Sequence, residues 1–416
     1  MTSPRTPGSM SERRTSLIGG LLVAIGPVSM ALYTPAMPAL VEAFGTTEAV
    51  VKLTLAVYFA GFSVTQLICG PISDAAGRRP TTLAFMVLYL AGSILAVLAP
   101  DIGTLLVARL LQGIGSSVGV ATSRAIVRDQ FTGEQSSRIM NTIGIVLAIG
   151  PALSPTIGGI TLALAGWHAI FVVMVFFGLI VVGVTLGPMR ETVAPDWSRI
   201  RPGAILRAYG RLATNRHFLA SSLTIGGSAG ALYTLATILP FVLIDTAGLT
   251  PTQFGIGMLA QSGTYLGASV VVRLLLPRFG AQRLVPVGLG FIAAGSLALV
   301  ISIAWLSPSY LSIMLPVAAY AFGIAFVMPA MTTAALAPFA HMAGAASAGM
   351  GFVQMGTGML GGLICAAIGH PVLAMQTVIP SLGLIAIVSY LIFRREAHHD
   401  DARAQMPAAE APEAGT

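Results

Sequence analysis

The chain of 416 residues is 55% hydrophobic and only 9% charged, with a formal net charge of +7. Soluble proteins carry about 25% charged residues, and no water-soluble fold hides so much apolar surface, so lipid is the solvent for most of this chain. Soluble enzymes and disordered chains are both excluded, apart from the polar ends MTSPRTPGSM and DARAQMPAAEAPEAGT, which read as disordered tails over 1–16 and 394–416.

Arg13 and Arg14 precede an apolar run in the manner of a signal peptide, but eleven more such runs follow, so the first is expected to stay as an uncleaved span. A hydrocarbon core about 30 Å thick needs roughly 20 apolar residues per helix. Spans are expected near 17–40, 49–69, 82–99, 104–125, 139–163 and 169–187, and then near 218–243, 255–276, 284–304, 309–330, 343–365 and 372–392. Turn and charge signals mark most boundaries, among them APDIG, DTAGLTPTQ, LPRFGAQR, WLSPSY and IGHPV. Cys69 and Cys365 lie in different runs and read as small hydrophobes without a disulfide.

The basic residues choose an orientation. Of 22 Lys and Arg, twenty fall on one side if the amino terminus is cytoplasmic. They are Arg5, Arg13 and Arg14, the pair Arg78 and Arg79, then Arg124, Arg128 and Arg138. Six more lie in the central loop, followed by Arg273, Arg278 and Arg283, and by Arg394, Arg395 and Arg403. Lys52, at an outer helix end, and Arg109, inside a span, are the exceptions. This is the positive-inside rule, and it requires an even number of spans with both termini cytoplasmic. The net positive charge therefore reflects topology and a face suited to anionic lipids, and nucleic-acid binding is not expected.

The longest internal polar segment, 188–217, divides six spans (17–187) from six (218–393). ALYT occurs at Ala31 and again at Ala231, which places Tyr33 and Tyr233 in the first span of each half, 200 residues apart. IGGI in span five against LGGL in span eleven, and QGIG in span four against FGIA in span ten, echo the same repeat. The expected fold is an all-α polytopic membrane protein of 12 transmembrane helices in two six-helix pseudo-repeats.

Three stretches carry candidate chemistry. The turn after span two reads GPISDAAGRRPTTL. There Gly70 would allow close helix approach, Gly77 suits a tight turn, and Asp74, Arg78 and Arg79 fix charge at the interface. Span four holds RLLQGIGSS. An Arg in hydrocarbon costs about 3 kcal/mol on insertion scales, so Arg109 should face a polar interior with Gln112 one turn away, the alternative being an outward snorkel. Span five, GIVLAIGPALSPTIGG, carries Gly144, Gly150, Pro151, Pro155, Gly158 and Gly159. A membrane helix tolerates them where neighbours satisfy its backbone, and they suit close helix packing.

In this order the stretches resemble the major facilitator superfamily: G-x-x-x-D-x-x-G-R-R after span two, then R-x-x-Q-G at Arg109, Gln112 and Gly113. The span-five pattern is similar to the antiporter motif of that superfamily's drug:proton exporters. YTPAMP, SRAIVRD, SPTIGG and ALYT…LPFVL resemble most closely the bicyclomycin-resistance/CflA branch, and the resemblance covers about residues 15–395. It implies two bundles rocking around a central cavity and export of small hydrophobic compounds across the cytoplasmic (inner) membrane. It also implies the proton gradient as energy source in place of a cofactor, and a monomer is expected. Asp74, Arg78 and Asp129 would form a charge cluster holding the outward-facing state, with Asp74 facing the amino end of span eleven near Ala343. Tyr33, Tyr58, Gln66, Gln112, Tyr233, Gln261, Tyr265 and Gln354 would line the cavity or satisfy one another between helices. An importer or uncoupled facilitator is the alternative within transport.

Other classes fit worse. GGSAG at Gly226 matches the serine-hydrolase elbow, but Ser228 falls inside a helix rather than at a strand-to-helix turn. No paired carboxylates, H-E-x-x-H or Cys cluster suggests an enzyme or a metal site, and twelve repeated spans disfavour a receptor or channel. The chain departs from the branch in one respect: none of its 15 acidic residues lies mid-span. Ala31 stands where that branch carries an Asp, and Pro277 replaces an acid in the second half. Discrimination against lipophilic cations is therefore expected.

Overall fold

The computed structural model describes residues 10–199 and 201–405. Among them the chain is almost wholly helical. Helix α1 (Glu12–Tyr33) passes through a 3-10 turn into the short α2 (Met37–Ala43), and together they make the first crossing. Next come α3 (Glu48–Ala76), α4 (Arg78–Val97), and the pair α5 (Ile102–Ser116) and α6 (Val118–Gln130), which meet at Ser117 to make the fourth. Helix α7 (Gly133–Leu186) runs for 54 residues and is broken only at Gly166, whose φ is 76°. At 1.5 Å per residue it is about 80 Å long, enough to cross the hydrocarbon twice. Spans five and six are thus joined at one glycine rather than by a loop.

The second half contains α9 (Arg216–Pro240), α10 (Pro251–Phe279), α11 (Ala281–Trp305), α12 (Tyr310–Leu336), α13 (Ala343–Ile368) and α14 (Pro371–Gln405). Between the halves lies α8 (Pro202–Thr214). Side-chain caps start many of these helices: Ser11, Thr47, Asp101, Asn215, Thr250 and Ser309 each accept a first-turn N–H that would otherwise be unsatisfied in lipid.

Three boundaries differ from the sequence reading. The first helix begins at Glu12 because Ser11 caps it, so 12–16 are helical rather than tail; residues 1–9 lie outside the described residues. The last helix continues to Gln405, past 394, and only 406–416 lie outside the description. The segment 188–217 is not a plain loop, since Ile205, Ala208, Tyr209 and Leu212 give α8 an inward apolar stripe at helical spacing.

Each half has a core, one built on α1–α7 with Phe241 of the second half inserted into it, the other on α9–α14. Leu164, Leu274 and Leu315 are at least 65% exposed, as lipid-facing residues should be. Across the halves α3 packs on α13 and α7 on α10. Those are equivalent contacts if span two corresponds to span eight and span five to span eleven. The glycine pairs agree. Gly158 lies against the Leu32 carbonyl of α1, and Gly361 against Thr234 of α9; a Cβ on either would collide. Gly159 lies against Pro251 of the other half, and a Cβ on Gly362 would meet Ala56 across the interface at 3.7 Å. Gly77 (φ 99°) and Gly280 (φ 74°) make the matching turns α3–α4 and α10–α11, in a backbone region that favours glycine.

Candidate functional site

The Arg109 side chain is fully buried in the first bundle rather than snorkelling. Its Nη1 donates to Gln112 Oε1 at 2.7 Å, and its guanidinium carbon lies 4.4 Å from the ring centroids of both Tyr33 and Tyr58. The aromatic faces supply negative potential where no carboxylate does. Nε and Nη2 have no hydrogen-bond partner among the described residues. Gln112 Nε2 donates onward to Ser93 Oγ of α4 at 2.9 Å. Gly113 lets the α3 backbone approach at Tyr58, where a Cβ would collide. Arg109, Gln112 and Gly113 together therefore join α5 to α1, α3 and α4.

The tyrosines around Arg109 do not line open space. The Tyr33 hydroxyl pairs with Thr54 at 2.6 Å, and that of Tyr58 donates to Gly26 O at 2.8 Å and pairs with Ser116 at 2.9 Å. Tyr233 sits at the seam between the halves, with Phe59 5.5 Å from its ring and Gln354 Nε2 donating to its hydroxyl at 3.4 Å. Gln66 is buried against Gly351 of α13, its Oε1 without a hydrogen-bond partner among the described residues, while Gln261 and Tyr265 lie on α10 in the second half. The sequence-derived cavity set thus divides into a sealed cluster around Arg109, a seam group of Gln66, Tyr233 and Gln354, and the pair Gln261 and Tyr265 on α10.

At the arginine-rich face, Arg78 joins α3, α4 and α6. It is ion-paired to Asp74, its Nε reaches Asp129 Oδ2 at 3.0 Å, and its Nη1 donates to Ser73 at 3.2 Å. Glu191 joins this hub although no sequence motif marks it. Gly77 has no side chain to cap α4, and Glu191 from the central segment accepts the N–H of Arg78 at 2.8 Å and of Arg79 at 3.0 Å. A carboxylate at a helix amino end is favourable by charge as well. Thr192 then donates to Asp129 at 2.8 Å, and Arg79 caps the end of α7 through the carbonyls of Thr185 and Leu186. No local pattern signals Glu191; it lies 113 residues from Arg78.

Gly70 does not provide the close approach expected of it, because a Cβ there would meet nothing within 4 Å. The same holds for Gly144 at the start of the span-five pattern. The pattern works at its other end. A Cβ on Gly150 would meet Val28 at 3.0 Å, and beyond the kink-permitting Pro151 and Pro155, Thr156 donates to Gly255 O of α10 at 2.8 Å. At the opposite face Arg124 Nη1 donates to Ser347 Oγ of α13 at 2.9 Å. Tyr209 of α8 donates to Leu67 O of α3 at 2.6 Å, and burial pushes its phenol up to about 12, so it stays a donor at any physiological pH. The halves are therefore in contact at both ends.

The family model described as Major Facilitator Superfamily matches residues 19–362. The chain belongs to the major facilitator superfamily. This transporter is 30% identical to an uncharacterized MFS-type transporter, YdgK, of Bacillus subtilis, over 90% of the chain and 92% of that protein. It is 27% identical to a chloramphenicol resistance protein of Pseudomonas aeruginosa (85% and 82% covered) and to multidrug resistance protein D of Escherichia coli (89% and 92%). In fold it is similar to a bacterial homolog of the human lysosomal transporter Spinster, solved inward-facing and occupied, with a TM-score of 0.73 at 14% identity over 94% and 98% of the two chains. The transporter is a multi-pass membrane protein and not an enzyme. Ser228, the would-be nucleophile, is buried in α9 and donates to Thr224 O at 2.7 Å.

Proposed function

We propose that this transporter exports small neutral or mildly polar hydrophobic compounds, antibiotics among them, across the cytoplasmic (inner) membrane in exchange for protons. Both termini and the 188–217 segment face the cytoplasm in this reading. The observation that carries it is the full-length similarity to proteins named for multidrug and chloramphenicol resistance. The preference for neutral compounds rests on charge. A desolvated cation without a nearby carboxylate is uncompensated by several kcal/mol. Ala31 occupies the site where the resembled branch has an acid, and Arg109 adds positive potential.

Proteoliposomes with an imposed pH gradient and a panel of hydrophobic compounds test the reading. Neutral substrates should move against their gradient when protons run down theirs, and should be favoured over ethidium-like dyes. Uptake in the opposite sense would establish an importer. Strong cation efflux would refute the charge argument. Ala31→Asp should shift the preference toward cations and steepen the dependence on pH at the arginine-poor side.

A further inference from the structure

Where the two halves meet at the arginine-poor end, they enclose a charge that no motif flags. Lys52, the chain's single lysine, lies one turn into α3 and is fully buried. Its Nζ donates to Glu48 Oε2 at 2.8 Å and sits 4.6 Å from the ring centre of Phe241, which belongs to the other half. Glu48 keeps 33% of its side chain exposed, so water reaches the carboxylate but not the cation. Phe241 opens a π-helical segment, Phe241–Thr246, in which the Ala247 N–H reaches Val242 O at 2.9 Å. Widened turns of this kind concentrate at functional sites. The other ionisable groups facing the pair are Glu42 of α2, Asp245 of the π-helical segment and the Cys365 thiol of α13. Glu42 and Asp245 stand exposed at the same rim, and Asp245 interacts electrostatically with Glu48, Glu42 and Lys52 alike.

We propose that Lys52, Glu48 and Phe241 form a proton-sensitive latch on the arginine-poor gate. With Glu48 ionised, the buried ammonium is neutralised and the halves stay shut beneath Phe241. When Glu48 takes a proton from water on that side, the ammonium loses its ionised partner in a dry interface. Removing one partner of a buried pair is what makes such a pair costly, and the ammonium regains hydration only if the interface opens. The latch rests on the two halves moving apart, not on the direction or substrate of transport, so it would serve an importer equally.

The test is the distance between spin labels at Ala43→Cys and Gln253→Cys, exposed positions on the two halves at this end, with Cys69 and Cys365 replaced by Ala. Purified protein in lipid nanodiscs is measured from about pH 8 to about pH 4, across the carboxylate range. The long-distance population should rise about tenfold or more as pH falls. Glu48→Gln should show the open distribution already near neutral pH. Lys52→Met should stay short at every pH and should restore the short distance when combined with Glu48→Gln. Should Lys52→Met fail to fold, Lys52→Arg replaces it and must keep the pH response. A wild-type distance insensitive to pH, an unchanged Glu48→Gln protein, a pH response surviving intact in Lys52→Met, or one lost in Lys52→Arg would each overturn the latch.

Discussion

Replacing Arg109 separates a functional guanidinium from a structural one, because stability and transport should move differently. In the folded protein the group has two ring faces at 4.4 Å and one hydrogen bond at 2.7 Å. Desolvated cation–π contacts are worth about 2 kcal/mol each and a charged hydrogen bond about 1.5–3 kcal/mol, so Arg109→Met forfeits roughly 6 kcal/mol of interaction. It also removes a fully buried ion whose effective desolvation costs several kcal/mol, and the two terms nearly cancel. The Met protein should therefore unfold within a few degrees of the wild type in a thermal scan while losing transport by about tenfold or more. Arg109→Lys keeps the charge but loses the planar fork and buries a more strongly hydrated ammonium. It should be less stable than both, with transport equally poor. Purified variants measured for thermal unfolding and for substrate efflux in proteoliposomes give both numbers. A Lys variant that transports at the wild-type rate would show that Arg109 supplies charge alone. A Met variant that fails to fold would show that the group is structural.

The hub at the arginine-rich face gives a second expectation. Asp74→Asn should cut transport while leaving expression largely intact, and Glu191→Gln, which weakens the cap on α4, should cost about 1–2 kcal/mol in denaturation. The glycines of span five should divide by position. Gly158→Val and Gly159→Val, facing the Leu32 and Pro251 carbonyls, should abolish folded protein by size-exclusion chromatography, whereas Gly144→Ala should behave as wild type. A cysteine replacing Ser198 in the central segment should resist an impermeant thiol reagent in intact cells and react after permeabilisation; labelling from outside would reverse the assigned orientation.

The sequence by itself determined the solvent, the helices and the repeat. Composition forces burial in lipid, lipid forces every backbone group into a helix, and arginine placement orders the helix ends; each of these is additive or local along the chain. The pairing of Arg109 with Gln112 was legible for the same reason, since three residues is one helical turn. What the tertiary structure decided is long-range. Glu191 capping α4, Tyr33 and Tyr58 stacking on Arg109 from two other helices, and Phe241 closing over Lys52 depend on which helices meet, and no periodicity encodes that. Gly70 and Gly159 read alike as letters, yet only Gly159 faces another backbone. A small residue permits close approach at any point on a helix, and the rotation of that helix against its neighbours selects where the permission is used.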